Sequence, residues 1–181
     1  ALDEGFDGCG FRPLAEGEQA AINEILRGEY GQDYPAPFAD GVPLCPESVY
    51  VAGEQDEHGI IAFGRAMWRP GPRVFEIGAI ITDLKRRQRG IGTALTAQCV
   101  EGVRQRGGKR IFAEPVCHHL GSQKLFRDLG FLQTAVSLAK YPGILQDRLG
   151  GQPESVTMTF KCLNGPVDEG RAFNLPHDHA D

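Results

Sequence analysis

Phe75-Glu76-Ile77-Gly78-Ala79-Ile80-Ile81-Thr82 is followed by Lys85-Arg86-Arg87-Gln88-Arg89-Gly90-Ile91-Gly92, and after one helix length by Arg110-Ile111-Phe112-Ala113-Glu114. The outer segments read as apolar strands. Between them the spacing predicts a helix from Ile91 to about Arg106, with Ile91, Leu95, Cys99 and Val103 on one stripe and Ala94 beside it. Arg104 and Arg106 complement its C-terminal dipole, and Gly107-Gly108 supplies a stop. The first strand therefore meets the helix through a run of cations and two glycines. Backbone N–H groups at such a turn point outward and the helix N-terminus adds partial positive charge, so the loop suits an anion. The alternative is a plain strand-to-helix turn with a solvated basic edge.

A second helix, Ser122 to Phe131, closes on Leu129-Gly130-Phe131. Taken together, Arg87-Gln88-Arg89-Gly90-Ile91-Gly92 and this segment resemble the two cofactor motifs of the GCN5-related N-acetyltransferase superfamily. The first fits the Q/R-x-x-G-x-G/A loop that wraps the pyrophosphate of acetyl-coenzyme A in that family, and the second its L-G-F segment. The resemblance covers roughly residues 11 to 162. It implies an α/β fold, a central twisted, mostly antiparallel sheet flanked by helices. It also implies acetyl-CoA as acyl donor, an amine as acceptor and no metal.

Bulk properties leave room for this. The 181 residues suit one domain, and no apolar run is long enough to span a bilayer. A net charge of −5 argues against broad nucleic-acid binding, which leaves the Lys85–Arg89 cluster as a local exception in an acidic chain. Five cysteines at irregular spacings, with no C-x-x-C pair, support neither a zinc site nor a dithiol redox site. Free thiols in a reducing cytosol are the expectation. No signal-like segment opens the chain, which starts at Ala1, as a trimmed polypeptide or a domain cut from a longer one would.

Residues 1 to 10 are rich in Gly and Asp and read as a flexible segment, residues 11 to 162 as the acetyltransferase domain and 163 to 181 as a tail. Within the domain, Phe11–Leu14 predicts a first strand, with Pro13 tolerable at its end. A helix follows from Glu16, its apolar face made by Ala21, Ile22, Ile25 and Leu26, and Gly28 is its expected stop. Gly31 to Pro46 is a Pro-rich connection whose Tyr30, Tyr34 and Phe38 either line an acceptor cleft or cover the core edge. Ser48–Ala52 and Ile60–Gly64 form a hairpin, Arg69-Pro70-Gly71-Pro72 a turn, and Phe131–Tyr141 and Glu154–Phe160 the last two strands. Strands first, then strand–helix alternation, point to a mixed sheet. His177 and His179 are read as part of a solvated end.

Acetyl transfer from a thioester needs a neutral amine, a polarised carbonyl and a stabilised leaving thiolate. Glu76 is the candidate base, an acid in an apolar strand where apolar surroundings would raise its proton affinity. In histone-acetyltransferase-like relatives a Glu at this spacing from the glycine loop acts as the base. Glu114 is the reserve, and a Glu on the exposed strand face is the alternative. The resemblance assigns carbonyl polarisation to the backbone of Ile80, Ile81 and Thr82, where strands of this fold splay. It assigns cofactor contacts to these three, to Arg87, Gln88, Arg89, Gly90, Ile91, Gly92 and Thr93, and to Ser122 and Phe126, with Lys124 or Arg127 near the nucleotide phosphates.

The acid departs from the family pattern: the usual Tyr five residues before the final Phe is Phe126, which holds no proton. Ser122 and His118 are the candidate substitutes, with His119 and Cys117 close by in sequence. Cys117-His118-His119 is a weak metal or nucleophile motif, since neighbours on a chain seldom face each other and no second cluster accompanies it. His118, with Ser122 and Gln123, is expected to cap the second helix.

The reading is therefore an N-acetyltransferase acting by direct attack in a ternary complex. Its alternative is a catalytically weak acyl-CoA-binding sensor domain of a larger protein. A phosphate- or nucleic-acid-binding α/β domain is a third. Asp33, Asp40, Glu29 and Asp56 hint at a cationic acceptor. A homodimer or a neighbouring domain is compatible with the chain, which carries no sign of a membrane or nucleic-acid partner.

Overall fold

The computed structural model describes residues 9–30, 38, 43–55, 59–70, 73–87, 89–141 and 153–163. Its strands are β1 (Gly10–Pro13), β2 (Val49–Gln55), β3 (Gly59–Arg69), β4 (Val74–Thr82), β5 (Arg110–Ala113), β6 (Leu132–Tyr141) and β7 (Glu154–Cys162). Its helices are α1 (Gln19–Tyr30), α2 (Ile91–Gln105) and α3 (Leu120–Asp128). One sheet holds all seven strands in the order β1-β2-β3-β4-β5-β7-β6. Among neighbouring strands only β4 and β5 run parallel, with α2 carrying the chain back along the sheet between them, whereas β1 and β2, joined through α1, pair antiparallel. The expected mixed, mostly antiparallel sheet is therefore the observed fold.

The helices divide between the two faces. On one, Ile91, Leu95, Cys99 and Val103 of α2 and Phe126 of α3 are buried against Val49, Val51, Phe75, Ile77, Ile111 and Ala113. On the other, Ile22 and Leu26 of α1 pack on Ala52, Phe63 and Ile81. Gly64 sets the closeness of α2, since a Cβ there would lie 2.9 Å from Ile80 Cδ1 and 3.0 Å from Cys99 Sγ. Among the described residues no helix is long and apolar enough to cross a membrane.

Several boundaries differ from the sequence expectation. Helix α1 passes through Gly28 to Tyr30, because a lone glycine only weakens a helix whose apolar face is buried. Helix α3 begins two residues before Ser122. Cys9 is fully buried and Gly10 opens β1, so the fold takes in the end of the segment read as flexible. At the other end Leu163 packs against the core. Residues 164–181, with His177 and His179, lie outside the described residues, as do most of Gly31–Pro46 and of Pro142–Pro153.

Candidate active site

The site begins where β4 loses one neighbour. It pairs with β5 only through Val74↔Arg110, Phe75↔Ile111, Glu76↔Phe112 and Ile77↔Ala113, while its pairing with β3 continues to Thr82. On the β3 side the register steps from Phe63↔Ile81 to Arg65↔Gly78, so Ala79 and Ile80 both oppose Gly64. This is a β-bulge, and Ala79 enters the left-handed region to form it, with φ of +54°. The bulge shifts the face of every later side chain. Phe75 and Ile77 point toward α2, but beyond the bulge it is Ile80 that reaches the α2 core and Ile81 that joins the opposite one.

Past Ile77 one edge of β4 is thus without β5. Asp83 N–H donates to Ile61 O on β3 at 2.8 Å. Backbone direction alternates along a strand, so Ile80 and Thr82 turn their N–H and C=O groups to the opened side. Arg87 reaches that side, its Nε donating to Thr82 O at 3.2 Å.

The loop that follows is ordered from within. Asp83 accepts from Lys85 N at 2.9 Å and caps a one-turn helix at Leu84–Arg86. Gly90 then takes φ of +79°, the left-handed conformation for which a residue without Cβ is suited, and becomes the N-cap of α2. As a glycine it brings no side-chain cap of its own. The N–H groups of Ile91 and Gly92 lie in the first turn of this 15-residue helix, at the end of the loop that carries Arg86, Arg87 and Arg89, while Thr93 N–H donates to Gly90 O at 3.0 Å. Thr93 stands in that turn, Ile91 is buried beneath it, and a Cβ on Gly92 would sit 3.5 Å from Leu125 of α3. Gln88 lies outside the described residues. The donor set suits a pyrophosphate: uncapped helix amides, a left-handed glycine and guanidinium groups.

Both candidate carboxylates border the opening on the face away from α2. Glu76 stands one residue before the last β4–β5 pair and Glu114 one residue after it. Neither has the purely apolar setting expected of Glu76. Its side chain is 16% exposed, and Arg69 Nε donates to it at 2.6 Å. Glu114, 10% exposed, pairs with Lys140 of β6. The sequence places Arg69 in a turn. It is the last residue of β3, and the β3–β4 hairpin brings it alongside Glu76. Arg69 reaches Glu76 across one hairpin and Lys140 reaches Glu114 from another strand, so strand pairing rather than a local motif brings each alongside.

The start of α3 corrects one expectation. The cap is His119, not His118: its Nδ1 accepts from Ser122 N at 3.1 Å. Ser122 Oγ donates back to His119 O at 2.8 Å. Gln123 Nε2 donates to Cys117 O at 2.8 Å and to Val116 O at 3.2 Å, tying the preceding turn to the helix. His118 turns away and its Nδ1 meets the carboxylate of Glu154, a side chain 2% exposed at the start of β7. Glu154 was read only as a strand end, and its partnership depends on β7 lying against the turn after β5. Phe126 is buried and meets Phe131 edge to face at 5.1 Å, so it serves as core. A separate cavity of about 320 Å³, lined by Pro46, Glu47, Trp68, Arg73, Phe75 and Arg106, lies toward the other end of β4. A strand this long separates its ends by roughly 25 Å, which sets that cavity apart from the glycine loop.

Comparison with known proteins agrees with this layout. The model of the acetyltransferase (GNAT) family matches residues 19–131. The chain belongs to that family. Arabidopsis thaliana NAA60 in complex with a bisubstrate analogue is similar in structure with a TM-score of 0.70 at 17% identity, over 87% of this chain and 99% of that one. The yncA protein of Salmonella typhimurium, solved with its cofactor acetyl-CoA, gives 0.65 at 15% identity over 88% and 96%. The aminoglycoside 6'-N-acetyltransferase of Enterococcus faecium gives 0.65 at 17% over 87% and 99%. Likeness at this level of identity concerns the fold. No curated protein matches the sequence.

Proposed function

We propose that this chain is an acetyl-CoA-dependent N-acetyltransferase that passes acetyl to an amine by direct attack in a ternary complex. The observation that carries the reading is the parting of β4 from β5 after Ile77 and Ala113, beside the uncapped N-terminus of α2. A neighbour of this fold was solved with acetyl-CoA, which supports the same donor here. In this reading the acetyltransferase unit is residues 11–162, extended by Cys9 and Gly10.

Acetyl-CoA supplies an acyl carbon activated as a thioester. The amides of Gly90, Ile91 and Gly92 hold the pyrophosphate with Arg87 and Arg89; Thr93 closes the first turn by donating to Gly90 O, and Gln88 belongs to the same loop. The backbone N–H groups of Ile80 and Thr82, on the opened edge, bind pantetheine and the carbonyl oxygen, where fixed dipoles favour developing negative charge. Glu76 takes the proton that the amine nitrogen gives up as the nitrogen–carbon bond forms and the carbon–sulfur bond breaks. Glu114, on the same face, is the second carboxylate able to do so. The leaving sulfur takes its proton from His118, whose ring is oriented by Glu154, or from water. The Ser122 hydroxyl is engaged with His119 O, which makes it the lesser donor.

A calorimetric titration with acetyl-CoA, paired with thiol release in a screen of amines, tests this. Expected are binding by wild type and by Glu76→Gln, and turnover by wild type alone. Absence of acetyl-CoA binding would reduce the likeness to one of fold. Binding without turnover of any amine would favour the sensor-domain alternative.

A further inference from the structure

The side chains around Glu76 specify a kind of acceptor, given the acetyl-transfer reading above. Met67, Glu76, Phe112 and Phe160 stand in register across β3, β4, β5 and β7, on the face opposite α2 and α3. Strands lie about 4.8 Å apart, so these four form a continuous row. Phe112 and Phe160 are stacked, with ring centroids 5.4 Å apart and planes inclined by 24°. Both remain partly exposed, as does Met67. The row is thus a continuous apolar strip, its two rings turned face to face, with one carboxylate set into it.

The next row, toward the opening, has a gap. Arg65 pairs with Gly78, and Glu114 follows the last β4–β5 pair. A Cβ built on Gly78 would find nothing nearer than Met67 Cε at 3.9 Å and Arg65 Nε at 4.0 Å. The space above Gly78 is therefore a slot beside Glu76, at the point where β5 departs. It carries no surplus of negative charge, because Glu76 is matched by Arg69 and Glu114 by Lys140, and Arg65 adds a guanidinium to its wall. A polycation finds no surplus of negative charge in this pair of carboxylates, whereas an aromatic group meets the exposed edges of two rings, the edge-to-face contact that aromatic pairs favour.

We infer that the acceptor is a primary amine carried on a flat aromatic group, which lies over Phe112 and Phe160 while its nitrogen enters the slot above Gly78. Initial rates of thiol release from acetyl-CoA, with phenylethylamine and with spermidine as acceptors, test this in wild type, Phe160→Ala and Gly78→Val. In wild type kcat/KM favours phenylethylamine by about tenfold or more, the scale on which apolar pockets discriminate. Phe160→Ala brings the ratio toward one. Gly78→Val raises KM for phenylethylamine, with the dissociation constant of acetyl-CoA unchanged in calorimetry of the same variants. A preference for spermidine, or a ratio indifferent to both substitutions, overturns the inference. Acetyl-CoA binding with neither amine acetylated overturns the acceptor class and leaves the donor site standing. Loss of acetyl-CoA binding in wild type itself would remove the underlying reading as well.

Discussion

At the scale of single residues, the proposed chemistry rests on how Glu76 is held. An acid inside an apolar strand is visible in the sequence, and its spacing from Gly90 singles it out further. Its guanidinium partner is not visible, because Arg69 reaches it only through the register of the β3–β4 hairpin. A removed general base typically lowers rate by about 10² to 10⁴-fold. Glu76→Gln is therefore expected to reduce kcat by that order in a thiol-release assay and leave acetyl-CoA affinity intact. If Glu114→Gln instead gives the larger loss, the base is the carboxylate at the mouth of the opening. His119 is a different case. Its position in a Cys-His-His run invited chemistry, yet it caps α3. His119→Ala is expected to cost about 1 kcal/mol in urea denaturation, while His119→Asn, a good capping residue, keeps that stability. Wild-type stability in the alanine variant would count against the cap.

At the scale of elements, β4 and its bulge decide the site. The apolar run Ile77 to Thr82 was legible as strand, and the stripe of α2 fell on the buried face as its period required. What periodicity could not reveal is the extra residue opposite Gly64, since a bulge is a property of two strands in register. Its consequence can be measured. Gly64→Ala would drive a Cβ onto Ile80, Cys99 and Leu95, and overpacking of this kind typically costs 1–3 kcal/mol, roughly the loss expected in chemical denaturation. Because Ile80 is on the opened stretch of β4, the same variant is expected to weaken acetyl-CoA binding. Lost stability with unaltered affinity would separate the bulge from the donor site.

At the scale of the whole molecule, β1, β2 and the approach to α1 are joined by one ion cluster. Arg12 donates to Glu18 at 2.6 and 2.8 Å and to Glu54 at 2.8 Å. The hydrogen bonds from Arg12 hold both carboxyls below their ordinary value of 4.5. A carboxyl held lower in the folded state than in the unfolded one contributes stability that is complete above the unfolded value. That contribution is lost as pH falls below 4.5 through the folded values. Thermal unfolding followed from pH 6 to pH 3 should thus show a steeper acid loss in wild type than in Arg12→Met, on the order of the modest effects typical of solvent-exposed ion pairs. Equal slopes would mean that the cluster is electrostatically idle. The sequence by itself determined the family, the strand–helix order around the glycine loop and the candidate donors, because these depend on local spacing and on a loop whose glycine and cations are contiguous. Only the tertiary structure decided that β4 parts from β5 after Ile77, that Arg69, Lys140 and Glu154 face Glu76, Glu114 and His118, and that Phe112 stacks on Phe160. Each of these depends on strand register, or on a strand packed against a turn, which is set by packing two faces of one sheet and leaves no mark at any single position in the chain.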